Sequence, residues 1–145
     1  MQEIVTQIEV ECSDVKAWEC LMDFKQYPRW NPFIKEISGE PKEGWHLQTT
    51  VQPPGGSAMK FKPLVLAASA PHEFRWKGIL FMPGLFDGEH YFKIEALGPG
   101  HIRFTQGERF TGVLAFLGIA LMGEKIRKGY ESMNQAFKQR LETKG

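Results

Sequence analysis

This chain is short of cysteine, of net charge and of long apolar runs, and each shortage closes off a class of protein. Its 145 residues include 2 cysteines. Cys12 and Cys20 are not in C-x-x-C spacing and do not suggest a disulfide framework. A reduced, cytoplasmic setting is the expectation. Lys and Arg total 18 against 17 Asp and Glu, a net charge of +1. That balance supplies no basic face for duplex nucleic acid, so no nucleic-acid partner is expected. The longest uncharged apolar stretch, residues 111–123, is too short to span a bilayer, and no transmembrane segment is expected. The opening residues mix acids and amides with apolar side chains, unlike a signal peptide. His46, His72, His90 and His101 fall in no metal-ligand spacing, and G-x-S-x-G, P-loop and G-x-G-x-x-G motifs are missing. The expectation is therefore no metal and no cofactor.

Large rings are plentiful: 11 Phe, 4 Trp and 3 Tyr. With 42% hydrophobic and 24% charged residues, the composition is that of an ordinary globular protein. The length suits one domain covering residues 1–145.

Ile4, Thr6, Ile8 and Val10 alternate with Glu3, Gln7, Glu9 and Glu11, which predicts a strand with one wet face. Ser13 and Asp14 supply an N-cap and a first-turn acid. Val15, Trp18, Leu21 and Met22 follow at helical spacing, predicting a helix over 14–23. Residues 24–32 read as a second short helix ending in a proline-punctuated turn. Six strands are then expected, at about 33–40, 45–52, 58–69, 72–80, 87–97 and 101–110, joined by connections short enough to require antiparallel neighbours. Finally Ile126, Tyr130, Met133, Phe137 and Leu141 recur with a 3.6 period in one long C-terminal helix. Its basic residues, Lys125, Arg127, Lys128, Lys138, Arg140 and Lys144, read as a solvated face. The fold class is α+β, with seven antiparallel strands covered on one face by the C-terminal helix.

Strand parity separates the faces. Phe74, Trp76 and Gly78 point inward on one strand, and His90, Phe92 and Ile94 on the next. Ile102, Phe104, Gln106, Glu108 and Phe110 do so on the last. Most inward positions are apolar; His90, Gln106 and Glu108 are not. Treating Gly98-Pro99-Gly100 as a three-residue loop puts Leu97 opposite His101. Ala96 then pairs with Ile102, Ile94 with Phe104, Phe92 with Gln106 and His90 with Glu108. Trp76 falls opposite His90 or Phe92. The His90–Glu108 neighbours read as a mutually satisfied polar pair, a ligand-orienting pair or a general acid/base pair.

One end of the sheet gathers unusual residues for loops. Phe81, Met82, Leu85 and Phe86 flank a Pro-Gly turn, Trp30 lies in another loop at that end, and Val113, Leu114, Phe116 and Leu117 sit near them. They form a packed lid, a portal to a cavity, or a surface for a membrane or a partner, including a second copy in a homodimer.

Ala17-Trp18-Glu19-Cys20-Leu21-Met22-Asp23-Phe24 and Tyr27-Pro28-Arg29-Trp30-Asn31-Pro32-Phe33 resemble the N-terminal signature of the SRPBCC superfamily. Residues 83–90, 103–110 and 133–138 look like segments of its small bacterial members. This is the helix-grip group of START lipid-transfer domains, the birch pollen allergen and polyketide cyclase/dehydrase-like proteins. The resemblance covers essentially the whole chain. It implies a seven-stranded antiparallel sheet gripping the C-terminal helix, with an apolar cavity between them, and it carries over no catalytic motif.

The leading functional expectation is binding, and transport, of a small hydrophobic or aromatic molecule in a cavity of roughly several hundred Å³. Trp76, Phe92, Phe104, Phe110, Leu114, Leu117, Ile126 and Tyr130 would line it, while His90, Gln106 and Glu108 orient one polar group. The alternative is a cyclase, dehydratase or isomerase in which Glu108 or His90 abstracts a proton beside a carbonyl. A third reading is an interaction module using the apolar end.

Overall fold

Burial along the first strand follows the alternation in its sequence. In the computed structural model, which describes residues 2–80 and 84–143, β1 (Gln2–Val10) buries Ile4, Thr6 and Val10 and exposes Glu3, Val5, Gln7 and Glu9. Ser13 then caps α1 (Asp14–Met22), its hydroxyl accepting from the Lys16 N–H at 3.1 Å. The next stretch, expected as one helix, is a 3₁₀ turn (Phe24–Gln26) followed by a single α-helical turn, α2 (Tyr27–Trp30). Asn31 ends it. Its Oδ1 accepts from the backbone N–H groups of Phe33 and Ile34, both at 2.9 Å, which turns the chain into the next strand.

Among the described residues there are eight strands, all paired antiparallel, in two sheets. β2 (Ile34–Ser38), β3 (Gln48–Val51) and β4 (Met59–Phe61) form one in that order. β5 (Leu64–Ser69), β6 (Glu73–Leu80), β7 (Phe86–Gly98) and β8 (His101–Thr111) join β1 in the other, ordered β1-β8-β7-β6-β5. The extra strand over the expected seven comes from Pro63, which divides the stretch 58–69. Proline has no N–H for a ladder. The Pro63 carbonyl instead accepts from the Leu47 N–H at 2.9 Å, and the chain crosses between sheets there.

β7 and β8 adopt the expected register, pairing His90 with Glu108, Phe92 with Gln106, Ile94 with Phe104 and Ala96 with Ile102. The turn differs: Gly98, not Leu97, faces His101, and an irregularity between Ala96 and Gly98 absorbs the additional residue. Trp76 lies opposite His90. On the inner face Phe92 stacks on Phe104 at 6.0 Å between ring centroids, and Phe104 meets Phe137 of α3 (Ala115–Thr143) at 4.4 Å. Helix α3 buries Tyr130, Met133, Asn134 and Phe137 in its central turns. It starts at Ala115, later than the change of period at Thr111, because Thr111 still belongs to β8.

Two of the basic residues expected as a solvated face close the sheet instead. β1 is an edge strand whose carbonyls need partners. Arg127 donates to the Val5 carbonyl at 3.1 Å and Lys138 to that of Glu9 at 2.8 Å. On the outer face of the sheet Tyr91 crosses β8 to donate to Glu3 Oε2 at 2.7 Å, beneath the cations of Arg75 and Lys93. It passes over Gly107, where an added Cβ would lie 2.6 Å from the phenol oxygen. Among the described residues no helix is long and apolar enough to cross a membrane.

Two expected outcomes follow from this packing. Phe104→Ala, at a fully buried position, should cost about 3–5 kcal/mol in urea unfolding. The second concerns pH. The hydrogen bond from Tyr91 holds the Glu3 carboxyl below its ordinary value. Burial, then the bond to Glu3, pushes the Tyr91 phenol up to about 12. The Glu3 contribution is therefore present above the unfolded carboxyl value of 4.5 and lost as pH falls through the lowered folded value. The Tyr91 contribution is present below 10 and lost as pH rises toward 12. Tyr91→Phe should flatten both limbs of the stability profile; parallel profiles for variant and parent would show that the clamp contributes nothing.

Candidate functional site

The inner face of the large sheet is filled with rings at one end and left open at the other. Between the opened end, the small sheet and α3 lies a cavity of about 110 Å³. Its walls come from Phe33 and Phe61 of the small-sheet side, Trp76 and Phe110 of the large sheet, Phe86, and Met122 and Ile126 of α3. Four residues with polar side chains are among its lining: Asp87, His90, Glu108 and Tyr130.

Glycine makes room for the carboxylate. Gly88 lies on the cavity floor diagonally from Glu108, and a Cβ built on it would stand 1.9 Å from Glu108 Oε2. Oε2 thus occupies the space a Gly88 side chain would fill. The Tyr130 hydroxyl donates to Glu108 Oε1, and His90 Nδ1 approaches the same oxygen at 3.4 Å. Burial, then the neighbouring Glu108 charge and its hydrogen bond, pushes the Tyr130 phenol well above its ordinary value, so it remains a donor. The His90 ring is stacked on Trp76 at 5.1 Å and edge-on to Tyr130 at 5.0 Å.

Behind His90 a polar line runs through the core. His90 Nε2 is 3.0 Å from Gln106 Oε1. Gln106 Nε2 donates to Asn134 Oδ1 at 2.8 Å, and Asn134 Nδ2 donates to Thr6 Oγ1 at 2.8 Å. The Thr6 hydroxyl donates to the Gln106 carbonyl, also at 2.8 Å. All four residues are buried, and none of these polar atoms is left without a partner, as burial demands.

The structure divides the residues expected at the site into three groups. Trp76, His90, Glu108, Phe110, Ile126, Tyr130 and Phe86 lie in the cavity wall. Phe92, Phe104 and Gln106 sit deeper, in the closed core, and are outside that wall. Leu114 and Leu117 are 40% and 56% exposed and lie on the surface of the first turn of α3 or just before it. Of the expected portal, Trp30 packs on Tyr27 and Phe137 away from the cavity. Leu85 is tied to the start of α3, its carbonyl accepting from the Leu114 N–H at 2.8 Å. Phe81 and Met82 fall outside the described residues. Val113, Phe116, Leu117 and Leu121 stay well exposed at that end.

Sequence reading missed the second sheet's share of the wall, Phe33 and Phe61, because pairing between distant strands leaves no local pattern. It also missed Asn134 and Thr6. Their signal was available: Asn134 interrupts the apolar stripe Tyr130, Met133, Phe137, and Thr6 interrupts the inward row Ile4, Ile8, Val10.

Residues 1–142 match the family described as polyketide cyclase/dehydrase and lipid transport. No curated protein matches the chain. Among solved structures, a START superfamily protein from Mycobacterium smegmatis superposes with a TM-score of 0.70 at 21% identity, over 97% of each chain. A norcoclaurine synthase point mutant from Thalictrum, in complex with a transition-state analogue, gives 0.73 at 16% identity, over 99% of this chain and 96% of that one. The di-domain aromatase/cyclase StfQ of the steffimycin biosynthetic pathway gives 0.74 at 13% identity, over 97% of this chain and 50% of that one. At these identities the likeness is one of fold.

Gly88→Ala should force the Glu108 carboxylate out of its place and cost about 1–3 kcal/mol in chemical denaturation. The loss should be less than additive with Glu108→Ala, which removes the clash. Strict additivity would mean that Gly88 and Glu108 do not share this space.

Proposed function

The chain belongs to the polyketide cyclase/dehydrase and lipid transport family, and we propose that it binds a small hydrophobic or aromatic molecule in the cavity beside Glu108. One observation carries this reading: an apolar chamber between sheet and helix in which the His90 and Tyr130 side chains converge on the Glu108 carboxylate. The size of the chamber narrows the ligand. About 110 Å³ is well below the expected several hundred, because Trp76, Phe92, Phe104 and Phe137 fill the rest of the grip. An apolar protein cavity of about 150 Å³ holds one benzene. The ligand, or the part of it that enters, is therefore the size of one ring, and a long acyl chain is too large for the chamber.

A second reading has its own support. Tyr130 and His90 both touch Glu108 Oε1, and such a cluster facing an apolar chamber has the parts of a proton-transfer site. In that case Glu108→Gln abolishes turnover of a carbonyl substrate while the substrate still binds.

Native mass spectrometry of freshly purified protein, followed by denaturing extraction, is expected to show a small apolar adduct, or uptake of a single-ring compound when one is supplied. Ile126→Trp fills the chamber and should weaken that uptake about tenfold or more with the fold retained. Unchanged uptake in a folded Ile126→Trp protein would place the binding site elsewhere.

A further inference from the structure

The hydrogen-bond line behind His90 has a direction, and that direction reaches the ligand. It begins at a backbone carbonyl, a group that can only accept. The Gln106 carbonyl accepts from the Thr6 hydroxyl at 2.8 Å. With its proton so used, Thr6 Oγ1 is an acceptor for Asn134, which must turn its amide nitrogen that way. Asn134 therefore turns Oδ1 toward Gln106, and Gln106 turns its own nitrogen toward Asn134. A second acceptor-only group, the Tyr130 carbonyl at 3.5 Å, lies beside the same Gln106 nitrogen. Gln106 Oε1 consequently faces His90 Nε2, and Nε2 carries a proton.

That leaves Nδ1 facing Glu108 Oε1 at 3.4 Å. Tyr130 donates to that same oxygen, so Oε1 is held between the phenol and the imidazole. A carboxylate held in this way presents its other oxygen, Oε2, as a hydrogen-bond acceptor. Oε2 has no hydrogen-bond partner among the described residues, and it lies over Gly88 on the cavity floor.

Resting on the binding function proposed above, we propose that this chamber selects ring-sized ligands that donate a hydrogen bond, such as phenols, anilines and aryl alcohols, and refuses carboxylates and acceptor-only molecules. Oε2 of the carboxylate is an acceptor with no partner among the described residues. A donor on the ligand satisfies it, an acceptor meets it lone pair to lone pair, and a carboxylate adds like charge in a poorly solvated place.

The test compares four probes of nearly equal size by NMR titration of the cavity residues: phenol, toluene, benzonitrile and benzoate. Phenol is expected to bind about tenfold or more tightly than each of the others. Equal binding of all four, or preference for benzoate or benzonitrile, overturns the selectivity while leaving the binding function intact. Failure of every probe, phenol included, to perturb Trp76, Phe110 or Ile126 overturns the binding function and the selectivity with it. Glu108→Gln can turn an amide N–H toward the floor, and benzonitrile should then gain about tenfold relative to toluene; no gain counts against the proposal. The parent protein gives an independent readout should that variant not fold. The side-chain nitrogen signals of His90 are expected to show a protonated Nε2 throughout, and a bare Nε2 with a protonated Nδ1 overturns the assignment.

Discussion

Gln106 sits fully buried at the centre of the molecule with a side-chain amide that has to be satisfied from both ends. An unpaired buried amide costs on the order of 1–3 kcal/mol per orphaned group, so the core is arranged around it. One end is met by Asn134 of α3, the other by His90 of β7, and Thr6 of β1 closes the loop back to the Gln106 carbonyl. Three strands and the long helix are thereby held in one rotational and translational setting. Apolar packing alone tolerates small slips of a helix over a sheet. A directional chain of hydrogen bonds does not, because each slip orphans several buried groups at once.

The same line divides the grip into two halves of different character. Below it, Phe74, Phe92, Phe104 and Phe137 pack ring on ring with no room for a guest. Above it, Gly78 and Gly88 face each other across β6 and β7, and the Phe61 ring approaches the space over Gly78. The Glu108 carboxylate lies over Gly88, and the ring of Phe86 forms part of the wall beside Phe110 at 5.7 Å. Ring packing on one side and the glycine pair on the other leave the chamber between sheet and helix, with the Glu108 carboxylate over Gly88.

Stability and access are also kept apart. Lys138 and Glu142 secure α3 to the β1 edge and its exit loop far along the helix from the cavity, while Arg127, which reaches the Val5 carbonyl, is next to the cavity-lining Ile126. The first turns of α3 leave Phe116, Leu117 and Leu121 exposed, and the next turns supply Met122, Ile126 and Tyr130 to the cavity wall. The helix can be firmly attached over its C-terminal half without that attachment drawing on groups at the chamber mouth.

Much of this is legible in the sequence. Period-two alternation and a short turn dictate the β7–β8 pairing, so His90 opposite Glu108 followed from local arithmetic, and the inward parity of Gln106 marked it as an anomaly in an apolar row. The periodicity from Ile126 to Leu141 determined the long helix and its buried stripe. The division at Pro63 was present in the sequence but ambiguous, since a proline also ends an ordinary edge strand. Tertiary structure decided the rest. Whether Tyr130 meets Glu108, and Asn134 meets Thr6 and Gln106, depends on how α3 is rotated and shifted over the sheet. The volume of the cavity depends on how many rings that placement lets interlock. Local sequence specifies torsions and which face is apolar. Contacts between residues a hundred positions apart, and the space left between them, are set by the simultaneous packing of all the elements.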